Sequence, residues 1–137
     1  MHVFPSKDWC EAVIAAIHAE PQSAVAGRGW KGDLAAAILP EAPLTEPFVV
    51  YARTEEGRVT EFRVLEDLDE IDEIEPAYVA RAGYHTWKKL VSSELDPIEA
   101  LLQRKIQFEG DLQPIIERAQ FKDLFWRVLA KVPTRFV

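Results

Sequence analysis

Apolar residues recur along this 137-residue chain with two different periods, and the switches between them mark its elements. Trp9, Val13, Ala16 and Ile17 share one side of a helix that Ser6 can cap and that runs to about Glu20. Pro21 opens a short polar connection. Gly27, Gly29 and Gly32 then flank Trp30 in a turn-rich approach to Leu34-Ala35-Ala36-Ala37-Ile38-Leu39. That run is ambiguous by period. Its shortness, with Gly32-Asp33 before it and Pro40 after it, selects a buried strand. Pro40, Pro43 and Pro47 make 40–47 a loop. Phe48 to Arg53 and Arg58 to Leu65 predict the clearest hairpin, joined through Thr54–Gly57. Thr60, Phe62 and Val64 alternate there with Glu61 and Arg63, so one face is covered and the other meets water.

Through 66–75, Leu68, Ile71 and Ile74 recur every third residue among acids, as expected of a short helical turn pinned on the core. Tyr78–Ala82 reads as a fourth strand. A helix carrying Trp87 follows, and a second restarts at Asp96-Pro97-Ile98-Glu99. There Asp96 suits the N-cap, Pro97 the first helical position and Glu99 a capping box. Ile98, Leu101 and Leu102 lie on one face of it. Ile106 and Phe108 alternate with Lys105, Gln107 and Glu109 as a fifth, one-sided strand, which Gly110-Asp111 closes before capping the next helix. In the closing helical region Leu112, Ile115, Ile116 and Ala119 share one stripe. Phe121, Leu124, Phe125, Val128 and Val132 share another, roughly opposite. Either the helix breaks near Ala119–Phe121 or its second half is covered from a different side.

Composition narrows the function classes. The length suits one domain, with neither repeats nor a low-complexity linker to divide it, and 48 % hydrophobic residues supply a core with material to spare. Cys10 is the single cysteine, so no intrachain disulfide forms, and no apolar run approaches bilayer length. Met1 to Lys7 lacks a charged and apolar leader pattern, so no secretory signal and a cytoplasmic location are the expectation. Net charge is −7, and seven acids without a base fall within 66–75. Removing those seven from the 23 acids leaves 16, equal to the 16 bases, so the acidity is local. Nucleic acid needs a basic footprint and is disfavoured, and at most transient membrane contact is expected.

No catalytic pattern emerges. Ser92, Ser93, His85 and Asp96 are close in sequence but lack a nucleophile elbow, and Ser92-Ser93 reads as a linker between helices. His2, His18 and His85 have no paired ligand spacing, and the acidic stretch lacks the glycine and spacing of a calcium loop. Gly27-Arg28-Gly29-Trp30-Lys31-Gly32 follows a helix and matches neither a dinucleotide nor a Walker fingerprint. Four tryptophans and seven phenylalanines suit either a plain core or the walls of a wide apolar pocket.

The order of these pieces resembles the sterol-carrier-protein family (type 2), small α/β domains that carry apolar lipids. The likeness is densest from Ala77 to Asp111: the strand Ala77-Tyr78-Val79-Ala80, the tryptophan helix Trp87-Lys88-Lys89-Leu90, the segment Leu95-Asp96-Pro97-Ile98-Glu99-Ala100-Leu101-Leu102, and the strand Lys105-Ile106-Gln107-Phe108-Glu109-Gly110-Asp111. Trp9, Trp30 and the closing Val132-Pro133-Thr134-Arg135-Phe136 extend it along the chain, whereas the acidic stretch has no counterpart. The resemblance implies an α/β (α+β) fold in which a five-stranded, mostly antiparallel sheet is covered on one face by helices, with an apolar tunnel between them. It implies non-catalytic carriage of a lipid (fatty acid, acyl-CoA, phospholipid or sterol-like) without cofactor or metal. The expected lining is Ile38, Val50, Phe62, Val64, Trp87, Leu90, Leu101, Leu102, Ile106, Phe108, Phe121, Leu124 and Phe125. The second apolar stripe of the closing helix is what a lid over that tunnel would need, although a helix packed between two layers is the plainer reading. The competing class is an accessory module with a closed core, whose segment 66–75 binds a basic partner. No pattern fixes the oligomeric state.

Overall fold

The computed structural model of the chain describes residues 1–118 and 120–137. In chain order its elements are β1 (His2–Phe4), α1 (Lys7–Ala19), α2 (Gln22–Ala26), β2 (Lys31–Leu39), β3 (Phe48–Glu55), β4 (Arg58–Leu65), α3 (Asp69–Ile74), β5 (Tyr78–Gly83), α4 (Tyr84–Val91), α5 (Pro97–Leu102), β6 (Gln107–Glu109), α6 (Gln113–Glu117), α7 (Phe121–Ala130) and β7 (Thr134–Phe136). Five strands form one sheet in the order β4-β3-β2-β5-β6. β2 and β5 run parallel, and every other neighbouring pair in that sheet is antiparallel. The expected five strands are therefore these five.

Local chemistry explains most boundaries. The Ser6 hydroxyl accepts the Trp9 N–H at 3.1 Å and starts α1. The Asp96 carboxylate accepts Ile98 N–H at 2.8 Å and Glu99 N–H at 3.3 Å, with Pro97 in the first turn of α5. Glu56 and Gly57, at φ 51° and 80°, make the two-residue turn of the hairpin. Gly110 has φ 124°, and a Cβ there would lie 2.6 Å from the Ala77 carbonyl oxygen, so the end of β6 requires glycine. Two elements differ from expectation. The connection after Pro21 winds into α2, where the Ser23 hydroxyl donates to Ile17 O at 2.7 Å and is buried by doing so. The chain ends also pair: β1 and β7 form a separate parallel ribbon, His2 opposite Thr134 and Phe4 opposite Phe136.

The sheet's two faces have different fates. Ala35, Ala37, Val49, Tyr51, Leu65 and Val79 form one buried face, against which Ile71 of α3 packs with Leu68 and Ile74 beside it. The acidic segment thus crosses the back of the sheet on its apolar third residues. The main helical layer lies over the other face. There Phe4, Trp9, Val13, Tyr84, Leu124, Val128 and Leu129 make the largest core cluster, tying the terminal ribbon to α1, α4 and α7. Tyr84 closes that clasp by donating its hydroxyl to the Val137 carbonyl at 3.2 Å.

Candidate functional site

On the helix-covered face, cross-strand register sets the side chains that look into the interlayer space. Ala36 stands beside Val50 on one flank and Ala80 on the other, and Ala80 stands beside Phe108. Two small residues at the centre of a sheet leave volume that flanking aromatics cannot fill. Two adjoining apolar cavities result, of about 350 Å³ and about 370 Å³. They share a wall of Ala80 and Phe108 from the sheet and Ile115, Arg118 and Phe121 from the helical side. Each lies in the size range of a small-molecule pocket.

The first cavity sits at the hairpin end. Trp30 stacks on Tyr78 at 5.3 Å between centroids, and Tyr78 approaches Phe108 at 5.9 Å, so three rings form one wall. Trp30 is held by its indole N–H, which donates to the Thr54 hydroxyl at 2.7 Å. Ile17, Gly57, Arg58 and Val59 close the hairpin side. His18 fastens that closure, its Nε2 accepting the Val59 N–H at 3.0 Å. Burial, with Arg58 nearby as a second cause, holds the imidazole below its ordinary pKa.

The second cavity lies between Ile38, Phe48 and Val50 of the sheet and Trp87, Leu90, Ile98, Leu101 and Phe125 of the helices. Trp87 is fixed to the sheet by an N–H bond to the Ala37 carbonyl at 3.0 Å. Across its rim Lys122 donates to the Asp96 carboxylate at 3.0 Å, joining α7 to the start of α5. Burial opposes the Asp96 charge, but the bonds from Lys122, Ile98 and Glu99 outweigh it and hold the carboxyl below its ordinary range. Cys10 lines this cavity too, and burial pushes its thiol up to about 12.

Of the residues singled out from sequence, Ile38, Val50, Trp87, Leu90, Leu101, Ile106, Phe108, Phe121 and Phe125 come together around these cavities. Four do not. Phe62 and Val64 sit on the edge strand β4, on the same face as Val50 but outside both cavities, with Val64 37 % exposed. Leu102, the last residue of α5, is 63 % exposed, because the neighbouring Leu101 takes the inward direction and successive helix residues point about 100° apart. Leu124 is buried in the core with Phe4 and Trp9. The closing helical region does break: α6 ends at Glu117 and α7 starts at Phe121, with Ala119 outside the described residues. Val128 and Leu129 join Leu124 in the core, so α7 is anchored there, while Phe121 and Phe125 turn to the cavities.

Sequence reasoning missed Trp30, Tyr78, Phe48, Ile115 and Arg118 among the lining residues. One signal was available: a bulky ring placed between glycines at 27–32 suits a wall better than a turn. Two of the four residues weighed for hydrolysis are engaged elsewhere. His85 Nε2 lies 2.8 Å from the Ala42 carbonyl, and Asp96 caps α5.

No protein-family model and no curated protein matches the sequence. The three-dimensional arrangement has solved counterparts. A crystal structure of sterol carrier protein 2 superposes with a TM-score of 0.78 at 21 % identity, covering 93 % of this chain and 98 % of that one. A conserved hypothetical protein from Thermus thermophilus, suggested to be a sterol carrier protein, gives 0.77 at 20 % identity over 95 % and 90 %. Palmitated SCP2L2 from Aedes aegypti gives 0.55 at 18 % identity over 82 % and 89 %. The chain therefore has the sterol carrier protein 2 fold, a mixed α/β architecture around a five-stranded, mostly antiparallel sheet.

Proposed function

We propose that residues 1–137 form one domain that binds an apolar lipid between sheet and helices and carries it, without catalysis. The observation that supports this reading most is the wall shared by the two cavities. Phe108 and Phe121 line both, so a lipid passing that junction would lie along most of the covered sheet face. Affinity would come from removing acyl or ring surface from water at ~25 cal/mol per Å². Such a force needs no catalytic group and discriminates weakly between chains of similar volume. That a palmitated protein, SCP2L2, shares this fold also supports a lipid as the ligand.

Among the described residues no helix is long and apolar enough to cross a membrane. A carrier would meet a bilayer transiently and work in the cytoplasm, and the net charge of −7 argues against nucleic acid as a partner. Entry of lipid would require part of the helical layer to move. Displacing α7 would pull Leu124, Val128 and Leu129 from the core, at about 1.5–3 kcal/mol for each fully exposed side chain. α6 has no buried residue, so it is the cheaper gate.

Titration with a fluorescent fatty-acid analogue tests this function. Saturable binding in the roughly micromolar range is expected for an apolar pocket of this size. Absence of saturable binding across several chain lengths would remove carriage and favour an accessory module.

A further inference from the structure

The five-stranded sheet has two edges, β4 and β6. An edge strand turns a row of unpaired N–H and C=O groups outward, and a long one can template a further strand. β6 has only three residues, whereas β4 has eight. Near its two ends β4 is engaged within the chain: His18 Nε2 accepts the Val59 N–H at 3.0 Å, and the Glu70 carboxylate accepts the Glu66 N–H at 3.1 Å. Thr60 is an unpaired bulge, because Arg53 lies opposite Glu61 and Thr54 opposite Val59. Between these points, among the described residues, nothing outside the sheet bonds to the backbone of 61–65. The side chains there are unclaimed too. Phe62 and Val64 line neither cavity and belong to none of the three apolar core clusters. On the opposite face Glu61 and Arg63 are exposed, 3.5 Å apart.

We propose that this open stretch of β4 is a self-association surface, and that its partner is a second copy of this chain, paired antiparallel about a two-fold axis at Phe62. Residues directly opposite one another in an antiparallel pair share a face, so such an axis falls at a residue and not between two. Charge then selects which residue. An axis at Glu61 or Arg63 sets that side chain against its own copy. One at Thr60 falls on the bulge, and one at Val64 sets Phe62 against Glu66. An axis at Phe62 instead places Glu61 opposite Arg63 of the second copy, and the reverse, so four charges alternate in sign across the junction. On the other face Phe62 meets its own copy, with Val64 opposite Thr60 of the second copy, where the bulge ends the ladder. The sheet then runs through both copies, with both helical layers on one side. Residues 61–64 line neither cavity, so this association is independent of lipid carriage.

The test is sedimentation equilibrium of the full-length protein. Wild type should rise from the mass of one chain to that of two with a midpoint on the order of 100 µM, because so short a ladder sits at the small, transient end of interface sizes. Glu61→Arg and Arg63→Glu each place two like-charge pairs across the axis, and each should move the midpoint at least roughly tenfold higher. Mixed in equal amounts, the two variants bring two bases opposite two acids and should associate at least as readily as wild type. That recovery also shows that both variants are folded. Wild type remaining a single chain up to ~1 mM would overturn the proposal and leave the edge merely solvated. A wild-type dimer untouched by either substitution would place the contact on another surface and overturn it as well. Dimers weakened by both substitutions and not recovered in the mixture would overturn the register. Wild type alone supplies a second measurement: amides within 61–65 should exchange hydrogen more slowly as protein concentration rises through the midpoint, whereas exchange there that is indifferent to concentration in a dimerising sample would exclude β4.

Discussion

Replacing Ala80 by leucine separates a real cavity from a closed core, because the two readings predict opposite signs. Ala80 is half-buried at the centre of the sheet, between Ala36 and Phe108, and lines both cavities. Leucine adds three carbon groups, each roughly the ~30 Å³ share of one water molecule, so about 90 Å³ in all. The adjoining spaces of about 350 Å³ and about 370 Å³ accept that without displacing a neighbour. At ~0.8 kcal/mol per buried CH₂, the ligand-free protein should gain up to ~2 kcal/mol. In a filled core the same change overpacks and costs about 1–3 kcal/mol. Urea denaturation followed by tryptophan fluorescence reads the difference. The added side chain also narrows the junction, so hexadecanoate should bind at least roughly tenfold more weakly, ~1.4 kcal/mol. Octanoate, short enough to need little of the second cavity, should be nearly unaffected. A loss of more than ~1 kcal/mol in the ligand-free variant would refute the open space. Unchanged hexadecanoate binding would refute a ligand that crosses the junction.

Other consequences follow from single groups. His18 has a folded-state pKa below its unfolded value, so its contribution to stability is complete above ~6.5 and is lost as pH falls through the folded pKa; the fall in urea midpoint between neutral and mildly acid pH should be smaller in His18→Gln, and an identical slope would disprove the link to Val59. The Cys10 thiol, with its pKa raised to about 12, should resist alkylation at about pH 8 in the folded protein and react on unfolding; rapid reaction in the native state would contradict its burial. Amides of α6 should exchange faster than those of α7 near Leu124 and Val128, and should slow when lipid is added. Exchange in α6 indifferent to lipid would exclude it as the gate.

Much of the frame was readable because short-range chemistry decides it. Asp96-Pro97-Ile98-Glu99 specifies a helix start whatever surrounds it, and Ser6 likewise. Leu68, Ile71 and Ile74 had to face the core, and they do so on the back of the sheet. The misses needed long-range knowledge. Three-residue strands at the two ends carry no period, and β1 finds β7 through Phe4, Trp9 and Phe136, whose rings converge only in the folded chain. Alternation separates Phe62 and Val64 from Glu61 and Arg63, yet it cannot tell a central strand, whose apolar face is covered, from the edge strand that β4 becomes. Leu101 and Leu102 differ by one residue, and only the seating of the fully buried Ala100 fixes which of them turns inward. Arg118 interrupts an apolar stripe at Leu112, Ile115 and Ile116, a position that reads as surface until Trp30 arrives beside it from 88 residues earlier in the chain.

The central claim is that the space between sheet and helices holds a lipid, and native mass spectrometry of the freshly purified full-length protein addresses it most directly. Carriage predicts a population heavier than the chain by the mass of one lipid, with the same species released on denaturation and identified as a lipid. A clean ligand-free mass that stays unchanged after incubation with dodecanoate and hexadecanoate would contradict it.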